Sequence, residues 1–244
     1  MPDLGIVGCF VFVGYVVFGL TGFGASIVAI PLITLIVPLQ LGVSVMLIMD
    51  IAAGLFLGVK DRRDIVRPEL DALIPWIVVG MVLGLSLLVS APEHWLLLVL
   101  GLFAIFQSVR NLFFKPRPRA MPPSWRIFYG TLGGSFTSLY GVGGPLYAIY
   151  LGHRIQEEKA RRATLAILIW LTGIGRLALF LLAGLLLQDQ LLEAALICLP
   201  LCLLGTYFGS HLRRWLPSHH VQRSVWLVVG AAGTTLVLRT YMSF

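Results

Sequence analysis

Two apolar stretches of this chain are too long to be single membrane-crossing helices, and both are broken at their middles by glycine. Eight apolar segments lie at about 4–37, 41–59, 72–89, 94–114, 125–152, 164–187, 190–209 and 224–241. Six have the length of ordinary spans, for which roughly 20 residues are needed. The first and fifth differ. As one helix, 4–37 would run about 50 Å at about 1.5 Å per residue, against a hydrocarbon core of about 30 Å. The interruptions are Thr21-Gly22-Phe23-Gly24-Ala25 in the first and Tyr140-Gly141-Val142-Gly143-Gly144-Pro145 in the fifth.

The solvent for these segments is lipid. Of 244 residues, 58% are hydrophobic and 12% charged, and a chain this short cannot hide that much apolar surface from water. The net charge of +7 does not point to nucleic acid, because the basic residues sit in short linkers between apolar runs. Cys9, Cys198 and Cys202 all lie within apolar segments without disulfide or metal-ligand spacing, so they read as packing residues. No Lys or Arg precedes the first apolar run, and no cleavable signal is expected.

The two breaks are related. Gly22 and Gly24 pair with Gly141 and Gly143 at a constant separation that also pairs Gly14 with Gly133 and Gly54 with Gly173. Several pairs in one register indicate an internal duplication. Four linkers hold sixteen of the eighteen Lys and Arg: 60–67, 110–126, 154–162 and 213–223. The linkers around Gln40, around Pro92 and at Gln188-Asp189-Gln190 hold none. If the basic linkers are cytoplasmic, 125–152 has a basic linker at each end and must cross an even number of times.

A re-entrant helical hairpin with its tip at the glycine break satisfies this, and giving 4–37 the same shape puts both termini outside. The expected fold is therefore an all-α polytopic membrane protein of two inverted repeats, 1–119 and 120–244. Each repeat is one glycine-broken re-entrant hairpin plus three transmembrane helices. Eight simple spans would place at least two basic linkers on the wrong side.

A hairpin tip inside the bilayer is tolerated only where it is buried in protein or lines a wet cavity. It exposes the N-terminus of its second limb, with unpaired backbone N–H groups and the positive end of the helix dipole. Such a terminus binds anions without a buried cation. Glycine permits close approach of ligand to backbone, and Pro145 suits a first helical position, where its missing N–H costs nothing. The expected substrate-binding residues are Thr21, Gly22, Phe23, Gly24 and Ala25 in the first tip, Ser138, Tyr140, Gly141, Gly143, Gly144 and Pro145 in the second, and Arg176. Ser26, Ser135 and Thr137 are further flanking hydroxyls, competing with a role in helix packing.

Asp50 and Arg176 lie mid-span, where charge is costly enough to suggest function. Arg176 can bind an anion bidentately and Asp50 can carry a coupling proton; alternatively the two neutralise each other as a structural pair. The five histidines fall in linkers or at span ends without metal spacing, so no metal and no cofactor are expected. There is no P-loop, and neither HExxH nor a paired-carboxylate motif of a membrane enzyme. The remaining classes are a secondary transporter and an anion channel of the same architecture.

The segments Gly19-Leu-Thr-Gly-Phe-Gly-Ala-Ser-Ile-Val-Ala-Ile-Pro31 and Gly133-Gly-Ser-Phe-Thr-Ser-Leu-Tyr-Gly-Val-Gly-Gly-Pro145 resemble the duplicated glycine signatures of the TauE/SafE family. The resemblance covers nearly the whole chain, including the basic stretch Glu157-Glu-Lys-Ala-Arg-Arg-Ala163. Ala25 departs from it, standing where Gly144 stands in the second half, so a looser first turn is expected. The resemblance implies a multi-pass protein of the bacterial inner membrane that moves sulfite, thiosulfate, sulfonates or related anions. Its partners are then the small anionic substrate and the bilayer, with a homodimer left open.

Overall fold

The computed structural model describes residues 3–21, 24–57, 64–113, 121–212 and 218–242, and every regular element among them is a helix. Both over-long segments break at their glycines. The first becomes α1 (Asp3–Thr21) and α2 (Ala25–Ile33), the fifth α6 (Trp125–Tyr140) and α7 (Gly144–Arg154). Between them run α3 (Leu39–Leu57), α4 (Arg67–Ser90) and α5 (Glu93–Phe113); after them come α8 (Glu158–Leu182), α9 (Asp189–Leu212) and α10 (Ser218–Met242).

Among the described residues, six helices are long and apolar enough to cross a bilayer, namely α3, α4, α5, α8, α9 and α10. With 9 and 11 residues, α2 and α7 reach only about 14 and 16 Å. The long helices carry apolar side chains on their outer faces. On α4, Leu73, Ile77, Met81 and Leu88 are buried while Val78, Val79, Val82, Leu83 and Leu87 are exposed. An apolar exposed face is stable only where the surroundings are as apolar as the side chains.

The chain forms two compact units, each drawing on both halves of the sequence. One comprises Met1–Met49, Ala91–Pro116 and Leu187–Phe244; the other comprises Asp50–Ser90 and Arg117–Leu186.

In the first unit α1 packs on α9 and α5 on α10, with α2 folded back along α1. The fold-back brings Gly14 against Ala29, where an added Cβ would stand 2.9 Å from the alanine methyl. Every residue of α2 except Leu32 is buried. The α1–α9 contact has almost no side-chain thickness. A Cβ on Gly205 would fall 2.6 Å from the Phe12 carbonyl oxygen, and one on Gly209 would fall 2.2 Å from that of Val16.

In the second unit α6 packs on α4 in the same manner. A Cβ on Gly80 would stand 2.0 Å from the Thr131 oxygen, and one on Gly84 would stand 2.5 Å from that of Ser135. Thr131 and Ser135 follow Phe12 and Val16 by the same 119 residues that separate the two glycine breaks. Ser135 adds a hydroxyl bond to the Gly80 carbonyl at 3.0 Å. Small residues at such seams let backbones approach, which supplies the packing that lipid does not drive. Leu73, Ile77, Tyr147, Tyr150, Leu151 and Leu168 form the core beneath α4, α7 and α8.

Candidate functional site

Both tips have the same length. Three residues, Gly22-Phe23-Gly24 and Gly141-Val142-Gly143, join the limbs of the two hairpins. The expectations for Gly22 and Phe23 lie outside the described residues, as does the side chain of Thr21.

In the first tip Gly24 takes φ 90° and ψ 15° directly before α2. This left-handed conformation is open to glycine and strained for residues with a Cβ. As the N-cap of α2, Gly24 has no side chain with which to cap it, and no acidic residue lies in the first turn. Ala25 is buried, and its carbonyl oxygen would lie 3.0 Å from a Cβ on Gly14.

In the second tip the left-handed residue comes first. Gly141, at φ 68° and ψ 16°, closes α6 by donating its N–H to the Thr137 carbonyl at 2.9 Å, and the Val142 N–H reaches Phe136. Gly143 then precedes α7, where Gly144 and Pro145 begin the helix, again without side-chain cap or acidic first turn. The N-termini of α2 and α7 thus present positive dipole ends with no carboxylate of their own to compete for an anion. At α7, however, Pro145 has no N–H and the Leu146 N–H is already bonded to the Gly143 carbonyl at 3.0 Å, which leaves the tip glycines as the donors there.

The hydroxyls around the second tip divide by hydrogen-bond accounting. Thr137 donates to the Gly133 carbonyl at 2.8 Å, so the 2.9 Å contact with Tyr147 has the tyrosine as donor. This bond clamps α6 to α7. Gly133 and Gly143 make room for it: a Cβ on Gly133 would sit 2.3 Å from the Tyr147 ring, and one on Gly143 would overlap Thr137 Oγ1. Ser135 is spent on the α4 seam. Ser138 is different, fully buried and with its Oγ meeting no hydrogen-bond partner among the described residues. A buried hydroxyl without a partner costs about 1–3 kcal/mol unless something satisfies it. Tyr140 is buried beside Phe136, with ring centroids 5.6 Å apart.

Asp50 and Arg176 are brought together. Arg176 Nη1 stands 3.9 Å from Asp50 Oδ2; the arginine is 2% exposed and the aspartate 29%. The guanidinium also lies over the Phe180 ring, 5.0 Å from its centroid.

One cluster escaped the sequence reading. Arg154, which reads in the sequence as a positive-inside marker, donates from Nε and Nη2 to Glu69 Oε1 at 2.9 and 2.5 Å, and Tyr150 donates to Glu69 Oε2 at 3.1 Å. Glu69 beside it holds the Arg154 guanidinium above its ordinary pKa. Nearby, Lys159 pairs with Asp64 at 2.9 Å and Thr164 accepts from the Val66 N–H. These contacts tie the end of α7 to the starts of α4 and α8. The partners lie 85 residues apart, and nothing local in the sequence joins them.

Comparison with known proteins adds to this geometry. Residues 6–236 match the family model described as "Sulfite exporter TauE/SafE". A relative from Comamonas testosteroni, described as "Probable inner membrane transporter protein TsaS", is 24% identical over 196 residues, covering 80% of this chain and 82% of its own. No solved structure matches.

Proposed function

The chain belongs to the sulfite exporter TauE/SafE family, and from that premise we propose that it is a secondary transporter of small sulfur-containing anions, bound at the two glycine-rich hairpin tips. It is a multi-pass protein of the inner membrane, and the family and the relative are transporters rather than enzymes. The observation that carries the proposal is the pair of matching breaks. Each opens a short helix whose N-cap is a glycine and whose first turn holds no acidic residue. Ser138 supplies a candidate donor one turn from the second tip, its hydroxyl having no hydrogen-bond partner among the described residues. Arg176 supplies cationic charge, and Asp50 beside it is the group proposed to carry a coupling charge.

We further infer that 1–119 and 120–244 are inverted repeats. The support is the recurrence of one glycine-to-carbonyl seam: Gly205 and Gly209 of α9 meet the Phe12 and Val16 carbonyls of α1, and Gly80 and Gly84 of α4 meet those of Thr131 and Ser135 on α6, the carbonyl-bearing residues being spaced alike. Odd numbers of crossings in each half then make the repeats opposite in orientation. Reporter fusions after Pro92 and after Pro118 are expected to report opposite sides of the membrane; the same side overturns the inversion.

Binding is tested by thermal unfolding of the detergent-purified protein with sulfite, thiosulfate, sulfoacetate, taurine, sulfate and chloride. A ligand at a hundredfold its Kd adds about 2.7 kcal/mol. A selective gain with a sulfur anion supports the proposal, and no gain with any of them overturns it. Saturable counterflow of the labelled anion in proteoliposomes separates a carrier from a channel.

A further inference from the structure

Within the first unit a cavity of about 450 Å³ opens between the end of α2, the start of α5 and the end of α10. Its lining includes Thr34, Glu93, His94, Leu97, Arg239 and Thr240. The volume falls in the range of small-molecule sites, about 300–1,000 Å³.

The charge here is out of place for its position. Sixteen of the eighteen Lys and Arg lie in the four basic linkers, and the other two are Arg176, mid-span, and Arg239. On the positive-inside reading the linkers around Gln40 and Pro92 and the end of α10 are all external. Arg239 is then the one Lys or Arg on the outer side of the chain, and it lines this cavity.

Among the described residues, the polar groups around Arg239 leave its charge available. Glu93 is the acidic residue in the lining, and its Oε1 accepts the N–H of Leu39, the first residue of α3, at 2.7 Å. The positive end of that helix therefore offsets the carboxylate. Thr34 and Thr240 donate back to their own helices, at Ile30 and Leu236, and are spent as donors. Arg239 itself bonds through Nη1 to a neutral carbonyl, Leu35, at 2.8 Å. That bond orients the fork without neutralising it, and a guanidinium has five N–H donors. Half-buried His94 adds an imidazole to the wall.

We propose that this cavity is an external docking site for a small oxyanion of the sulfonate or sulfite type, held by Arg239 before or after passage through the hairpin tips. Planar bidentate pairing with two oxygens of such an anion is the chemistry that suits arginine over lysine. The proposal rests on the anion-transport reading but uses none of the tip residues.

The test is charge-selective labelling from outside, in right-side-out vesicles. Leu97→Cys, and separately Ile36→Cys, both at residues that line the cavity, is placed in a Cys9→Ala background, with buried Cys198 and Cys202 retained. Each is treated with an anionic sulfonatoethyl and a cationic trimethylammonioethyl methanethiosulfonate. The anionic reagent is expected to react faster. Arg239→Gln is expected to lower the anionic-to-cationic rate ratio about tenfold, the scale of one charge-assisted hydrogen bond, and Arg239→Lys to retain part of it. Methanesulfonate is expected to slow labelling in the presence of Arg239 alone. A purely structural arginine would shift the unfolding temperature without moving the rate ratio. An unchanged ratio in Arg239→Gln, or no protection by methanesulfonate, overturns the site. Protection without flux of any sulfur anion would uphold the site and overturn the transport reading, so the two failures are distinguishable.

Discussion

Tyr147 donates its phenolic hydrogen to Thr137 across 2.9 Å, because Thr137 has already given its own to the Gly133 carbonyl. The bond joins the two limbs of the second hairpin directly beneath its tip, and both residues are buried. It follows that the glycines of this tip serve packing as well as any ligand. Tyr147→Phe removes one buried donor and is expected to cost about 1–2 kcal/mol, read from thermal unfolding of the purified protein. Gly143→Ala is expected to cost more, since its Cβ would overlap Thr137 Oγ1. A Gly143→Ala protein as stable as the parent would contradict the clamp.

Ser138→Ala isolates binding from packing. Its hydroxyl makes no bond among the described residues, so its removal is expected to leave the ligand-free unfolding temperature unchanged or slightly raised. The stabilisation by a sulfur anion is expected to fall by about 1 kcal/mol in the same experiment. Equal anion stabilisation in parent and variant would remove Ser138 from the site.

The repeated seam predicts paired sensitivities. Gly80→Ala and Gly209→Ala both drive a methyl into a backbone carbonyl, at 2.0 and 2.2 Å, and neither backbone can yield without parting two helices. Each is expected to cost about 3 kcal/mol or more, the upper range of overpacking. Gly173→Ala, with open space around its Cβ, is the control. It is expected to be neutral or to gain up to about 1 kcal/mol from helix propensity.

Glu69 and Arg154 are 16% and 28% exposed at their side chains, so their pair is screened less than a surface one. A double-mutant cycle with Glu69→Gln and Arg154→Gln is expected to return a coupling of about 1–3 kcal/mol. A coupling near zero would mean that this ion pair does not hold the end of α7.

For Asp50 and Arg176 the single and double variants are expected to diverge. Asp50→Asn leaves a 2% exposed guanidinium without its carboxylate and is expected to destabilise by about 2–3 kcal/mol. Asp50→Asn with Arg176→Gln is expected to recover stability and still lose anion counterflow in proteoliposomes. A stable double variant with full counterflow would make the pair structural only.

Much of this protein can be read from its sequence by itself. Segment lengths set against bilayer thickness require a membrane protein, and 4–37 and 125–152 must break because no straight helix of that length fits. Glycines mark where the breaks fall, and the helices end at Thr21 and Tyr140 and restart at Ala25 and Gly144. The costs of burying charge single out Asp50 and Arg176, and the pair is indeed close. These features are legible in the sequence because each depends on a local property: length, backbone freedom or desolvation.

Helix partnership was decided only by tertiary structure. Apolar helices look alike to one another in sequence, and what selects α4 for α6 and α1 for α9 is where glycines on one helix meet carbonyls on another. The same holds for Tyr147 on Thr137, for Arg154 on Glu69 and for Arg239 beside Leu35, the last pair 204 residues apart. Each such contact joins side chain or backbone across separate helices, so its energy exists only after the helices have packed.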